Sequence, residues 1–570
     1  MAEEVWMLQT KKADFKQIGA RFRIDPVTAR IIRNRGIEGE AAIDRYLNGT
    51  LDDLYDPMLL KDMERAVSIL CEAVDTGKKI RIVGDYDIDG VCSTYILLQA
   101  FERLGSDVDF EIPDRIKDGY GINESIIEQA HADGVEVILT CDNGISAFHQ
   151  VELAKKYGMT VVITDHHEVP LDGEKEKIPP ADAVIDPKQA DCPYPFPEIC
   201  GAVVAYKLVQ VLYARRGVPR MEWLDLLEFA AIATVGDVMK LQDENRILVK
   251  YGLKKMAQTK NLGLRRLAEK NNLDLGAITA YHIGFVIGPC LNAGGRLKTA
   301  KEALALLRAQ SEEEAERLAE ELKELNDTRK DMTEQGTEAA KLQVENWYQK
   351  DKVLVVFLPE CHESLAGIIA GRLREYYQKP AIVLTRGEEA VKGSGRSIDE
   401  YHMFKKLTEV NDLLLKFGGH PLAAGLSLEE KNIDEFRRRL NENAGLTEED
   451  FKAKVWIDVP MPVGYVTERL VRELSCLEPF GQGNEKPLFA EKSLRIRASR
   501  VLGRNRNVVK MTLEETDGHA IEALYFGDGT AFEEERAGRR EIDVVYYPDI
   551  NEYNGRKTLQ AVIRRYKFRG

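Results

Sequence analysis

Between about Lys78 and Asp186 the chain alternates short apolar runs with amphipathic stretches. Lys79–Val83, Val135–Thr140 and Thr160–Thr164 read as buried strands. Val91–Leu104, Glu124–Ala132 and Ala147–Tyr157 carry helical spacing. This alternation predicts a parallel sheet with helices on both faces. The Pro-rich segment Ile178–Pro197 breaks it and is expected to be a surface loop. Helical character resumes at Ala202 and dominates to about residue 270. Residues 301–349 are highly charged, with Leu318, Leu322 and Leu325 at helical spacing and Ser311 and Glu314 placed as a capping box. That pattern predicts one long solvated helix joining two lobes. Val353–Leu358, Gly367–Glu375 and Ala381–Thr385 then read as strand, helix and strand. The tail carries five strand-like runs, Leu494–Val501, Val508–Leu513, Ala520–Phe526, Ile542–Tyr547 and Thr558–Ile563, which suit a five-stranded OB barrel.

Length and composition narrow this reading. A chain of 570 residues is expected to form three or four domains, at roughly 150 residues each. No apolar run approaches the roughly 18 residues of a membrane span. The start, Met1-Ala2-Glu3-Glu4, is acidic and lacks a signal-peptide pattern. Eight cysteines occur without CxxC pairs, and Cys92 and Cys141 sit in apolar stretches as reduced core thiols. Together these features favour a cytoplasmic protein. The net charge of −15 argues superficially against a nucleic-acid partner. However, residues 451–570 hold 21 Lys and Arg against 18 Asp and Glu, so the tail is at +3 and the rest at −18. The acidic surplus lies outside the barrel, and bound metal would neutralise part of it.

The candidate chemistry sits where the apolar runs end. Lys79–Val83 leads into Gly84, then Asp85, Asp87 and Asp89 at alternate positions, then Gly90. Val135–Thr140 leads into Cys141-Asp142-Asn143-Gly144, and Thr160–Thr164 into Asp165-His166-His167-Glu168. Asp237 follows the apolar helical run Leu226–Val235. Open α/β sheets bind ligands at the carboxyl ends of their strands. Carboxylates packed this closely repel one another unless protons or cations intervene. Carboxylate plus imidazole suits Mn²⁺ or Mg²⁺ better than structural zinc. Any one of these residues alone is as readily a turn or helix cap; the set at successive strand ends is not.

The set resembles the DHH phosphoesterase superfamily, named for Asp165-His166-His167, and within it the RecJ family of bacterial single-strand-specific 5′→3′ DNA exonucleases. The resemblance extends over essentially the whole chain. It implies two divalent ions, Mn²⁺ or Mg²⁺, held by Asp85, Asp87, Asp142, His166 and Asp237, with Asp142 bridging. It puts His167 and Asp89 in supporting catalytic positions. The superfamily's usual ligand His before the first Asp is Arg81 here, which passes that duty to a nearby carboxylate such as Asp89.

Four later motifs extend the resemblance. Asp114–Gly121 offers Arg115 to phosphate and Tyr120 to base stacking. Gly288–Arg296 is glycine-rich, as for close backbone approach to a ligand, and ends in Arg296; Cys290 and Gly294 depart from the family form. Lys392-Gly393-Ser394-Gly395-Arg396-Ser397 reads as a phosphate cradle, and Gly418-Gly419-His420 as a loop that closes over substrate. By resemblance, Ser394, Arg396 and Arg296 hold a terminal 5′-phosphate. In the tail, Arg495, Arg497, Arg500, Arg504, Arg506 and Lys510 interleave with Tyr546, Tyr547 and Tyr553, as a sequence-tolerant single-strand binder requires.

The expected architecture is α/β: a DHH parallel-sheet domain joined by a long helix to a smaller α/β DHH-associated domain, plus a C-terminal OB β-barrel. The expected boundaries are 1–75 for a helical segment packing on the DHH domain, 76–300, 301–349, 350–446 and 447–570. The expected function is metal-dependent 5′→3′ hydrolysis of single-stranded DNA to 5′-mononucleotides. The family implies work in repair and recombination as a monomer, alongside a single-strand-binding protein and a helicase. One rival is a DHH phosphodiesterase of short oligonucleotides or cyclic dinucleotides, which needs only the two lobes. The other is a non-catalytic single-strand binder, against which the complete set of metal-type residues argues.

Overall fold

The computed structural model describes residues 4–553 and 555–569. The chain forms two compact units, one of residues 54–239 and 247–453, the other of residues 4–53, 240–246 and 454–570. No helix among the described residues is long and apolar enough to cross a membrane.

The first unit contains two sheets. Strands β1 (Ile80–Val83), β2 (Val108–Glu111), β3 (Val137–Cys141), β4 (Thr160–Thr164) and β5 (Ala183–Ile185) form a sheet in the order β2-β1-β3-β4-β5. All its pairings are parallel. Every residue of β1, β3 and β5 is buried, as expected for strands covered on both faces. Helices α1 (Ile88–Arg103), α2 (Gly201–Arg215) and α3 (Leu227–Gly236) pack together, and α3 is apolar around its circumference and buried. The short β5 corrects the loop expected over Ile178–Pro197. Ala183-Val184-Ile185 is too brief, between prolines, to register as a strand, and its pairing with β4 supplies the stability.

Helix α4 (Gly288–Leu297) and the 32-residue helix α5 (Glu312–Gln343) lead to the second sheet. Ser311 caps α5 by accepting from the Glu314 amide at 3.2 Å. One face of α5 is buried, including Leu318, Leu322, Asn326 and Thr333, so it is a packed spine rather than a solvated rod. Strands β6 (Leu354–Phe357), β7 (Ala381–Arg386), β8 (Val391–Arg396), β9 (Leu414–Gly419) and β10 (Ala423–Leu428) form a mixed sheet, in the order β9-β10-β8-β7-β6, with α6 (Ala366–Tyr377) against β7 and β8.

The second unit is a barrel of β11 (Phe489–Leu502), β12 (Val508–Glu514), β13 (Ala520–Phe526), β14 (Glu541–Tyr553) and β15 (Arg556–Phe568). The order β11-β12-β13-β15-β14 closes through β11–β14 pairing, and only β13–β15 is parallel within it. Residues 4–53 belong to this unit, which corrects the expectation that they pack on the DHH domain. Ile31, Ile32, Ile43 and Tyr46 share one core with Phe489, Val509 and Tyr546. Asp25 N donates to Glu473 at 2.6 Å, and Arg35 pairs with Asp458 at 2.7 Å. A helical stripe declares an apolar face but not the surface that covers it. The later helix, Met63–Asp75, packs on the parallel-sheet domain, against β5 and α2.

Candidate metal centre

Strands β1, β3 and β4 are consecutive neighbours in one parallel sheet, so the residues that follow them emerge at the same edge. Asp85, Asp87 and Asp89 follow β1, Asp142 follows β3, and Asp165-His166-His167 follow β4. Asp237 arrives as the residue closing α3. Helix α1 starts earlier than its apolar run suggests, at Ile88, because Asp87 caps it by accepting from the Asp89 and Gly90 amides at 2.9 and 3.1 Å.

The side chains converge. His166 Nε2 lies 3.1 Å from Asp142 Oδ1, 3.4 Å from Asp89 Oδ2 and 3.8 Å from Asp237 Oδ2. Three overlapping groups hold donor atoms within 4.8 Å of one another: Asp85, Asp87 and Asp142; Asp89, His166 and Asp237; Asp142, His166 and His167. Asp89 also anchors α2, accepting from the Gly201 and Ala202 amides at 2.7 and 2.8 Å. Gly201 is required there, since a Cβ would lie 2.7 Å from the Asp142 Cβ.

The electrostatics favour cations at this site. Burial, then the charge of Asp87, pushes Asp85 well above the usual carboxylate range. Burial, then Asp89 and Asp87, does the same to Asp142, and lifts Asp237 in like manner to about 8. Asp85 Oδ2 and Asp142 Oδ1 are buried without a hydrogen-bond partner. Burial lowers His166, which keeps its imidazole neutral and able to ligate. Crowded carboxylates, orphaned acceptor oxygens and a neutral imidazole fit hard divalent cations. The backbone is strained at the same place, with φ of 61° at Asp142 and 57° at Val238.

His167 stands apart from His166. Burial opposes its charge, but Asp165, 2.7 Å from Nδ1, outweighs this and raises it to about 9. It is therefore an imidazolium near neutral pH. Asp165 also accepts from the Ile145 and His166 amides at 2.9 and 2.7 Å. Sequence reasoning quoted Asp165 only as part of the triplet and missed its orienting position. It also missed Asp186, fully buried after β5 and raised to about 7 by burial and then Asp165. Once Ala183–Ile185 is seen as a strand, Asp186 repeats the strand-then-Asp pattern of β3. Arg81 lies outside the cluster, with Nη2 2.8 Å from both Asp109 and Asp133.

A cavity of about 600 Å³ adjoins this edge, lined by Tyr86, Arg115, Arg296, Ser394 and Arg396. Arg115 lies over the Tyr86 ring at 4.6 Å. Arg296 donates to the Ser364 carbonyl at 3.0 Å, and Arg396 to Ser394 Oγ at 3.2 Å. Burial, followed by repulsion from Arg115 and Arg329, lowers Arg296 to about 10. Clustered guanidiniums of this kind are relieved by an anion.

The motifs take other shapes than expected. Gly288–Arg296 lies in helix α4, and its glycines make room for neighbouring protein: a Cβ on Gly295 would lie 2.3 Å from the Tyr86 carbonyl. Lys392–Arg396 lies in β8, whose alternation sends Ser394 and Arg396 to one face. Tyr120 is 48 % exposed, but its hydroxyl is engaged, donating to the Asp142 carbonyl at 2.6 Å. His420 is exposed and lines a separate cavity of about 350 Å³ with Tyr120 and His167. In the barrel, Tyr546 and Tyr547 are core residues, 0 % and 6 % exposed, so they are not stacking platforms; the side chain of Tyr553 lies outside the described residues. Arg495, Arg497, Arg500, Arg504 and Arg506 are exposed, and Lys510 pairs with Glu522 at 2.9 Å.

Comparison with known proteins agrees with this geometry. Family models match residues 79–234 (DHH family, N-terminal domain), 350–445 (DHHA1 domain) and 457–565 (RecJ OB domain). The chain is 36% identical over 564 residues to the single-stranded-DNA-specific exonuclease RecJ of Bacillus subtilis, covering 98% of this chain and 70% of that protein. It is 34% identical over 563 residues to that of Escherichia coli, covering 95% of each. The crystal structure of RecJ in complex with Mn²⁺ from Thermus thermophilus superposes with a TM-score of 0.84 at 28% identity, covering 99% of this chain and 79% of that one. A Mg²⁺ complex of the same protein matches with a TM-score of 0.77. With DHH, DHHA1 and RecJ OB domains in order, near-complete coverage by RecJ relatives and a site suited to divalent ions, the chain belongs to the RecJ family.

Proposed function

We propose that this protein is a metal-dependent exonuclease that degrades single-stranded DNA from the 5′ end to mononucleotides. The observation that carries the reading is the convergence of Asp85, Asp87, Asp142, His166 and Asp237 beside a cavity lined with Arg115, Arg296 and Arg396. In this reading those five residues would hold two Mn²⁺ or Mg²⁺ ions, with Asp89 beside them. Bound there, such a pair supplies Lewis acidity toward a phosphoryl oxygen and the attacking water. The protein supplies the positioning. Arg296, Arg396 and Ser394 grip the terminal phosphate, so the first phosphodiester lies over the carboxylates and polarity follows. Arg115 holds the next phosphate, and His167, kept protonated by Asp165, adds a positive charge beside the scissile group. The exposed arginines of the barrel suit a sequence-tolerant hold on the incoming strand.

Time courses on single-stranded DNA labelled at either end, with Mn²⁺, test this. The 5′ label is expected to leave first as a mononucleotide, while 3′-labelled strands shorten progressively. Early release of the 3′ label, or internal cuts, would overturn the polarity. Asp142→Ala and His166→Ala are each expected to lower hydrolysis by about a thousandfold or more, on the scale of lost transition-state electrostatics, with strand binding retained. Substantial turnover in either variant would refute the assignment of the ions.

A further inference from the structure

The helical run 280–297 passes through a π-helical turn, Ile283–Ile287, before it becomes α4. Widened turns of this kind occur frequently at functional sites. The inner side of the run is closed by Ile283, Ile287, Cys290 and Leu291, all buried. Its accessible side carries one stripe. Tyr281, Phe285, Pro289, Asn292 and Arg296 follow one another at spacings of four, four, three and four residues, the separation of neighbours on a helix face. Arg296 ends the stripe in the guanidinium-lined cavity. With Pro289, Asn292, Gly236 and Arg329 it also lines a smaller cavity of about 110 Å³. Gly236 precedes Asp237, and the π-helical turn lies against the same end of α3, where a Cβ on Gly284 would stand 3.7 Å from Val235 Cγ1. At its other end the stripe reaches Phe285 and Tyr281, 67 % and 64 % exposed. Their rings stack, with centroids 4.7 Å apart and planes at 27°.

Two large rings left in water add nothing to a core, and their stack keeps ring surface open to a further planar ring. Proteins that hold single strands without reading sequence pair such rings with a positively charged track. Both parts lie here on one helix face, the rings at one end and a guanidinium at the other. Fifteen residues, roughly 22 Å, separate Tyr281 from Arg296, and the end of α3 that carries Asp237 lies beside the middle of this span. The inference rests on the exonuclease reading, in which Arg296 takes the 5′-phosphate and Asp237 belongs to the centre that cuts. The strand beyond the cut then continues past Asp237 on the side away from Arg296, where the rings stand. We propose that Tyr281 and Phe285 form a stacking platform for bases on the 3′ side of the scissile bond, positioning the strand without taking part in hydrolysis. Every base has a face to stack, so the platform tolerates any sequence. A duplex, whose bases are already stacked on one another, offers it no free face.

Steady-state hydrolysis of 5′-phosphorylated single strands with Mn²⁺, by the full chain and by its Tyr281→Ala, Phe285→Ala double variant, tests the platform. The double variant is expected to raise KM about tenfold, within the roughly 5- to 150-fold that one stacked base represents. Its kcat is expected to be largely kept, the signature of lost binding common to ground and transition states. Tyr281→Phe with Phe285→Tyr, which keeps both rings, is expected to restore KM. An abasic site walked along the strand from the 5′ end is expected to raise KM for the unaltered protein over a short run of positions 3′ of the first bond. In the double variant the same gaps are expected to add nothing, as when two changes remove one interaction. Unchanged KM in folded double-variant protein would overturn the proposal, and is the result if the rings serve a protein partner instead. An equal penalty in the ring-keeping variant, or an abasic effect that persists in the double variant, would also overturn it. Any of these results with hydrolysis by the unaltered protein removes the platform alone. No hydrolysis by the unaltered protein removes the exonuclease reading and the platform together.

Discussion

The backbone at Asp142 and Val238 adopts the left-handed region, at φ of 61° and 57°, within reach of the same cluster. An aspartate tolerates that region; a β-branched residue resists it by about 1–2 kcal/mol. Val238 is 66 % exposed, so it has no burial to offset the strain, and it directly follows Asp237. Val238→Gly is expected to raise stability by about 1 kcal/mol in denaturant titration and to weaken Mn²⁺ binding, because Asp237 is then less firmly placed. Glu228 makes a second residue-scale prediction. Burial raises it to about 7, against the opposing Thr259 hydrogen bond and Lys255 charge. Its unfolded value is near 4.3. Between these values the folded state binds the extra proton, so this group's contribution to stability falls as pH rises from about 4 to 7. Glu228→Gln removes that slope. The variant is expected to match the parent below about pH 4 and to exceed it at pH 8 by an amount on the order of 3 kcal/mol, read from urea midpoints at each pH.

At the scale of elements, the site depends on helices pressed onto turns. Helix α4 lies so close to the turn after β1 that a Cβ at Gly295 would meet the Tyr86 carbonyl at 2.3 Å. Gly295→Ala is therefore expected to cost about 1–3 kcal/mol. Because the helix also carries Arg296, it is expected to raise KM for 5′-phosphorylated strands more than it lowers kcat. Steady-state kinetics on 5′-phosphate and 5′-hydroxyl substrates would separate these effects. The strand order explains why three motifs distant in sequence act together. Neighbouring parallel strands β1, β3 and β4 end at one edge, and the interleaved helices hold them there. The amino-terminal helices illustrate the opposite case. Their stripes are clear, yet the stripe containing Ile31 and Ile32 is satisfied by the barrel core.

For the molecule as a whole, the acidic surplus and the basic tail act at different places. Removing divalent ions leaves Asp85, Asp87, Asp142 and Asp237 repelling one another in a buried site. Adding Mn²⁺ to chelator-treated protein is expected to raise Tm and release protons, with a gain of about 2.7 kcal/mol once the ion reaches a hundred times its Kd; a thermal scan with weakly buffered pH recording checks both. Binding of single-stranded DNA is expected to weaken steeply with salt, by roughly 0.7 in the log–log slope for each phosphate contacted. A flat titration would leave the exposed barrel arginines without a nucleic-acid partner.

Local chemistry was legible in the chain itself. Apolar runs of strand length, each ending in Asp or His, announce a parallel sheet with its ligands at the carboxyl edge, because strand period and turn chemistry are properties of neighbouring residues. What the chain could not settle was every choice of partner between distant surfaces. Whether residues 4–53 cover the sheet or the barrel, whether Tyr546 stacks on a base or fills a core, and whether the glycines of α4 meet a ligand or a carbonyl all depend on which surfaces come together. Packing decides these, since burial energy is indifferent to sequence order and depends only on the area removed from water.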